Sequence, residues 1–216
     1  MKARIETVSV GLPKTLRHNG KDIETGIFKT PVEGRVRVRE LGIEGDGQAD
    51  LSVHGGLNKA VYVYAHDHYA RWAEELGRAP EPSWFGENLT VSSIAEDAIR
   101  IGDRVRFGTV TAVVAQPRIP CYKLGIRMGD DSFPALFTRR GRPGFYLRVE
   151  VEGETGAGDA FEVVDEAAHG ITVAALWRLV FGRDKPPDTR DLAARCLELM
   201  PHLDAGWLRR LGLLAR

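Results

Sequence analysis

The segment Gln116-Pro117-Arg118-Ile119-Pro120-Cys121-Tyr122-Lys123-Leu124 sets one of the chain's two cysteines between prolines and cations, at the end of a β-patterned run. Arg118 and Lys123 favour a charged sulfur, while Pro117 and Pro120 favour extended backbone around it. A thiolate so placed suits three chemistries: nucleophilic attack, redox sensing, or ligation of a transition metal. The second cysteine, Cys196, lies one helical turn from Leu192 and Leu199 and reads as core packing.

A second polar segment runs from Gly42 to Gly56, with Glu44, Asp46, Asp50 and His54 among five glycines. Backbone N–H groups at Gly55 and Gly56 suit close approach to an anion, and Lys59 adds an ammonium group. A plain surface loop is the competing reading. Phe85-Gly86-Glu87-Asn88-Leu89-Thr90 and Ile101-Gly102-Asp103-Arg104 are polar turns beside strands. His66 and His68 stand two apart at a helix start, so they diverge rather than converge on one metal. There is no HExxH and no paired CxxC, which argues against a protein-only zinc site. Whether His54 meets Cys121 as a base is not readable from spacing.

The elements that must position these residues are mostly strands. Ile5, Val8 and Val10 are burial candidates in the first, and Asn19-Gly20 marks a hairpin turn. Arg35 to Arg39 alternates strictly, with Val36 and Val38 inward and Leu41 as a further inward candidate. Arg104–Phe107 and Val110–Ala115 pair across Gly108, and Phe145–Val151 is a further strand. Tyr69, Trp72, Ala73 and Leu76 predict one helix closed by Gly77. From Thr172 the pattern becomes helical, with three short helices opened by Thr172, Pro186-Pro187-Asp188 and Asp204. The expected fold class is mostly β (α+β): a barrel-like domain over 1–166 and a three-helix appendage over 167–216.

Apolar residues make up 43% and charged residues 28%, with thirty basic and thirty acidic side chains. Such a balance argues against general nucleic-acid binding but allows a local basic pocket. No apolar run approaches a membrane span, no signal peptide is evident, and two cysteines make no disulfide framework, so a reduced, cytoplasmic protein is expected.

Taken together, Gly45-Asp46, Gln48-Ala49-Asp50, Val53-His54-Gly55-Gly56 with Lys59-Ala60-Val61, Phe85-Gly86-Glu87-Asn88-Leu89, Gly102-Asp103 and Gln116-Pro117-Arg118 with Pro120-Cys121-Tyr122-Lys123 resemble the MOSC-domain family, and within it the YiiM-like branch. MOSC stands for the molybdenum-cofactor-sulfurase C-terminal domain. The resemblance implies a barrel-like fold that binds molybdopterin, the pterin-based molybdenum cofactor, with Cys121 as catalytic residue and molybdenum ligand. His54, Gly55, Gly56, Lys59, Arg118 and Lys123, with Arg142 as a further candidate, would hold its phosphate and pterin. The implied reaction reduces N-hydroxylated compounds such as hydroxylaminopurines to amines. Asp46, Asp50, His54 and Glu87 are the candidate proton donors. Two cysteines cannot build a four-thiolate iron–sulfur cluster and no GxGxxG opens a helix, so electrons are expected from an external flavin-type reductase. A second copy of the chain is a candidate partner. The alternative is a sulfur carrier or cofactor-handling protein with a persulfide or cofactor on Cys121.

Overall fold

The computed structural model describes residues 3–49 and 55–216. Its strands are β1 (Arg4–Val10), β2 (Lys14–His18), β3 (Lys21–Thr25), β4 (Thr30–Pro31), β5 (Arg35–Arg39), β6 (Gly42–Ile43), β7 (Val61–Ala65), β8 (Leu89–Ser92), β9 (Arg104–Phe107), β10 (Val110–Pro117), β11 (Phe145–Val151), β12 (Gly153–Gly156) and β13 (Phe161–Asp165). Its helices are α1 (His68–Leu76), α2 (Tyr122–Met128), α3 (Phe133–Arg140), α4 (Val173–Phe181), α5 (Thr189–Leu199) and α6 (Ala205–Leu214).

Eight strands form the main sheet in the order β13-β9-β10-β11-β7-β8-β1-β4, antiparallel except for the parallel β7–β8 pair. The sheet curls until Ile5 N–H reaches the Asp159 carbonyl (2.9 Å) and Phe161 N–H reaches Ala3 (2.9 Å). Among the described residues an isolated Arg4–Ala160 bridge is what spans this seam, so the mixed α+β class holds but the barrel is not closed. A strand pair from β1 to β13 is what full closure would require.

The hairpin at Asn19-Gly20 forms as its turn chemistry predicts, both residues adopting positive φ (48° and 77°). Ile5, Val8 and Val38 are buried and Val10 is half-buried, whereas Leu41 is 62% exposed, because the strand ends at Arg39 before the alternation reaches it. Helix α1 closes on a left-handed Gly77 as expected. Helices α2 and α3 are additional to the expected elements. Their only period signals are the buried i, i+4 pairs Leu124/Met128 and Phe133/Phe137, too short for a second repeat.

Two apolar clusters organise the molecule. The strands share one core with the C-terminal helices, through Leu176, Trp177, Cys196, Trp207 and Leu211. The other is aromatic and lies against α1–α3: Trp72 stacks on Phe137 at 5.8 Å and 7°, and Phe85 on Phe133 at 6.2 Å and 8°. Buried Glu87 sits in it, accepting from Tyr69 Oη, from Phe85 N–H (3.0 Å) and from Thr90 Oγ1 (3.3 Å). Thr172 caps α4 through its side chain, accepting from Ala175 N–H at 3.0 Å.

Candidate functional site

Strand β10 ends at Pro117, and the extended residues after it deliver Cys121 to the N-cap position of α2 (φ −116°, ψ 173°). Arg118 and Cys121 line a cleft of about 100 Å³ together with Lys29, Lys59, Lys123 and Tyr146. Its other wall is the Asp46–Ala49 loop, lying so close to Gly26 that a Cβ there would meet the Gly47 carbonyl at 2.3 Å. The enclosed space is smaller than the ~300–1,000 Å³ of a site that engulfs a drug-sized ligand.

The charges in this wall are individually braced. Arg118 is buried, donates to the Phe85 carbonyl at 2.6 Å, and lies 4.6 Å from the centre of the Tyr62 ring. Lys29 is ion-paired with Asp46, both side chains under 10% exposed. Burial pulls the Lys29 ammonium below its ordinary value, and Asp46 counters only part of that. Lys59 meets Asp204 at 2.6 Å. Burial pushes the Tyr146 phenol up, so at neutral pH it carries its proton as a donor group in the cleft. Among the described lining residues four cations outnumber one carboxylate, and Lys29 and Lys59 are paired with Asp46 and Asp204, leaving a basic excess that favours a thiolate and an anionic ligand.

The expected site residues separate into groups. Cys121, Arg118, Lys123 and Lys59 converge on the cleft. Gly56 adopts φ 96° and accepts Lys59 N–H through its carbonyl (3.0 Å), in a recess that shares Asp46, Gly47 and Gln48 with the cleft. Gly55 precedes it without lining either space. His54 and Asp50 lie outside the described residues. Arg142 does not join: its guanidinium stands 5.3 Å from the Trp72 ring and it is absent from the cleft wall, because the Gly141–Gly144 turn carries it onto the aromatic cluster.

Two of the candidate proton donors are committed elsewhere. Asp46 accepts from Gly11 N–H (2.9 Å), from Asn88 Nδ2 (2.9 Å) and from Lys29, which pins the loop. Glu87 is enclosed, and burial pushes its carboxyl up despite the Tyr69 donor. Asp103 ties Arg100 N–H and Ala167 N–H (both 2.8 Å), so that motif is a structural turn. His68 pairs with Glu96 at 2.7 Å and His66 is exposed. Residues that spacing did not single out are Lys29, Tyr62, Tyr146 and Asp204. Tyr62 and Tyr146 are register partners on neighbouring strands, a pairing that no local pattern displays.

The MOSC domain model matches residues 50–162. YflK of Bacillus subtilis (strain 168), an uncharacterized protein, is 42% identical over 167 residues, covering 77% of this chain and 76% of that one. This chain belongs to the MOSC domain family. Its YiiM-like character is carried by the crystal structure of YiiM from Geobacillus stearothermophilus, which superposes with a TM-score of 0.78 at 28% identity over 99% of this chain and 100% of that one. A protein named "Reductase" from Gibberella moniliformis is 31% identical over 186 residues, covering 83% of this chain but only 32% of its own length.

MOSC domains are associated with the molybdenum cofactor in general. The residues present fit such a group: a thiol on the cleft wall offers a soft ligand, and Lys29, Lys59, Arg118 and Lys123 offer donors for an anionic pterin phosphate. Among the described residues no cluster of three or more His, Cys, Asp or Glu could hold a metal ion without such a cofactor.

Proposed function

We propose that this protein is a molybdenum-cofactor-dependent oxidoreductase that reduces N-hydroxylated compounds, such as hydroxylaminopurines, to amines. The observation that carries the reading is the convergence of Cys121 with four cations on one cleft. When bound, the molybdenum cofactor supplies two-electron redox chemistry. The protein's own part is to present the Cys121 thiolate to the metal, with Arg118 and Lys123 beside it favouring the ionised sulfur. Lys29, Lys59 and Arg118 hold the anionic portion, and Tyr146 offers a neutral O–H donor toward bound ligand.

In the overall change one N–O bond breaks, two electrons and two protons are consumed, and the oxygen leaves as water. The electrons come from an external flavin-type reductase, since two cysteines cannot hold a four-thiolate cluster. A relative named "Reductase", of whose length this chain matches about a third, supports a reductive role for the cleft. No helix among the described residues is long and apolar enough to cross a membrane. A reducing cytoplasm suits Cys121 and Cys196, which form no disulfide.

The test measures molybdenum by mass spectrometry and turnover of a hydroxylaminopurine with a chemically reduced viologen as donor, for wild type and Cys121→Ser. Wild type should carry metal and turn over, and the variant should lose both. A variant that keeps both overturns the ligand assignment. An extra sulfur atom in the intact mass, without molybdenum, would instead support a sulfur carrier.

A further inference from the structure

The turn before α6 reaches back onto the cleft wall through a connected set of bonds. Asn58 Nδ2 donates to the His202 carbonyl at 2.6 Å. Lys59 Nζ and Gln116 Nε2 both donate to Asp204 Oδ2, at 2.6 and 2.8 Å. Gln116 Oε1 in turn accepts Asp204 N–H at 2.9 Å. One turn further on, Trp207 Nε1 donates to the Pro117 carbonyl at 3.1 Å. These bonds join the two chain segments that bring Lys59 on one side, and Arg118 and Cys121 on the other, to the cleft.

Asp204 stands at the N-cap of α6, yet its side chain makes no capping bond. An aspartate there ordinarily gives its carboxylate to the first-turn N–H groups, worth about 1 kcal/mol. Here one carboxylate oxygen, Oδ2, is given to Lys59 and Gln116, while Oδ1 stays beside the first turn at Gly206 and the Trp207 backbone helps hold the carboxyl low. Gln116 is 1% exposed, so its side of this link is shielded from water, where such bonds are strongest. The C-terminal helices also share the strands' apolar core, which fixes the turn in place.

We propose that Asp204 is a positioning residue of the cleft, and that the C-terminal helices clamp the cleft wall through it. It acts through Lys59 and Gln116 rather than by touching a ligand. The inference rests on the reading of the cleft as an anion-holding site. A free aspartate near an anion site would only repel the anion, so the two roles predict opposite signs.

Inorganic phosphate is the probe, titrated calorimetrically at fixed ionic strength into the full chain purified from a host that makes no molybdenum cofactor. The variants are Asp204→Asn, Lys59→Met and the double variant, each with a thermal melt. Lys59→Met should weaken phosphate binding about tenfold, Asp204→Asn about three- to tenfold, and the double variant no more than Lys59→Met alone. Tighter or unchanged binding in Asp204→Asn overturns the proposal, as do losses that multiply in the double variant. Wild type that fails to bind phosphate removes the anion-site reading and this proposal with it, a distinct result. Should Asp204→Asn not fold, Asp204→Ser places another residue favoured at N-caps there without the charge and carries the same expectations.

Discussion

Asn88→Ala tests whether the Phe85–Leu89 motif braces the site from below. Asn88 is buried, and its amide makes three bonds: Oδ1 accepts Tyr62 N–H at 3.0 Å, and Nδ2 donates to the Ser9 carbonyl (3.2 Å) and to Asp46 Oδ2 (2.9 Å). Truncation strips the side-chain partner from two buried backbone groups, each at about 1–3 kcal/mol, for a total of about 2–6 kcal/mol. Asp46 retains Gly11 and Lys29, so it adds less. At about 2–4 °C per kcal/mol for a chain of this size, Tm should fall by about 4–24 °C. Thermal melts by circular dichroism, with a urea series to check that the m-value is unchanged, measure it. Asn88→Asp adds a signature of its own, because it sets a second carboxylate against Asp46. Such a pair holds a shared proton, so its folded-state pKa rises, and stability present below the unfolded carboxylate range (about 4) is lost as pH rises. The N88D deficit should therefore be larger at pH 7 than at pH 4.5. A Tm shift under about 3 °C for N88A, or a pH-independent deficit for N88D, would refute the bracing role.

Other outcomes follow from the same physics. Phe137→Ala, at a fully buried ring stacked on Trp72, should cost about 3–5 kcal/mol in a denaturant melt. Cys196→Ser puts a hydroxyl where burial has pushed the thiol up to about 11, so Tm should fall while molybdenum content and turnover hold. Burial depresses His169 and His202, so their contribution is full above about pH 6.5 and lost as pH falls toward their folded values. His202→Asn should flatten that arm of a stability-versus-pH curve. Burial pulls Asp204 upward, but the Lys59 and Gln116 bonds overcome it and hold the carboxyl low. Its stabilisation is thus present above about pH 3.8 and lost below, a second acid step that Asp204→Asn should reduce.

What the sequence determined by itself was local chemistry and local geometry. Prolines and cations around Cys121, the Asn19-Gly20 turn, the alternation of Arg35–Arg39 and the Thr172 cap are all settled within a few residues, because sterics and short-range hydrogen bonds act over that distance. Ordered motifs between residues 40 and 125 also carried the family. What only the tertiary structure decided was which side chains meet. Arg142 was a further candidate donor and Lys29 carried no local signal, yet the fold put Lys29 in the cleft and Arg142 on Trp72. Helices α2 and α3 are too short to show a period, and their i, i+4 pairs gain meaning only against the aromatic cluster they bury. Asp204 reads locally as a helix cap, but its Oδ2 is taken by Lys59 and Gln116, far away in the chain, because an ammonium and a buried amide are strong partners for a carboxylate oxygen.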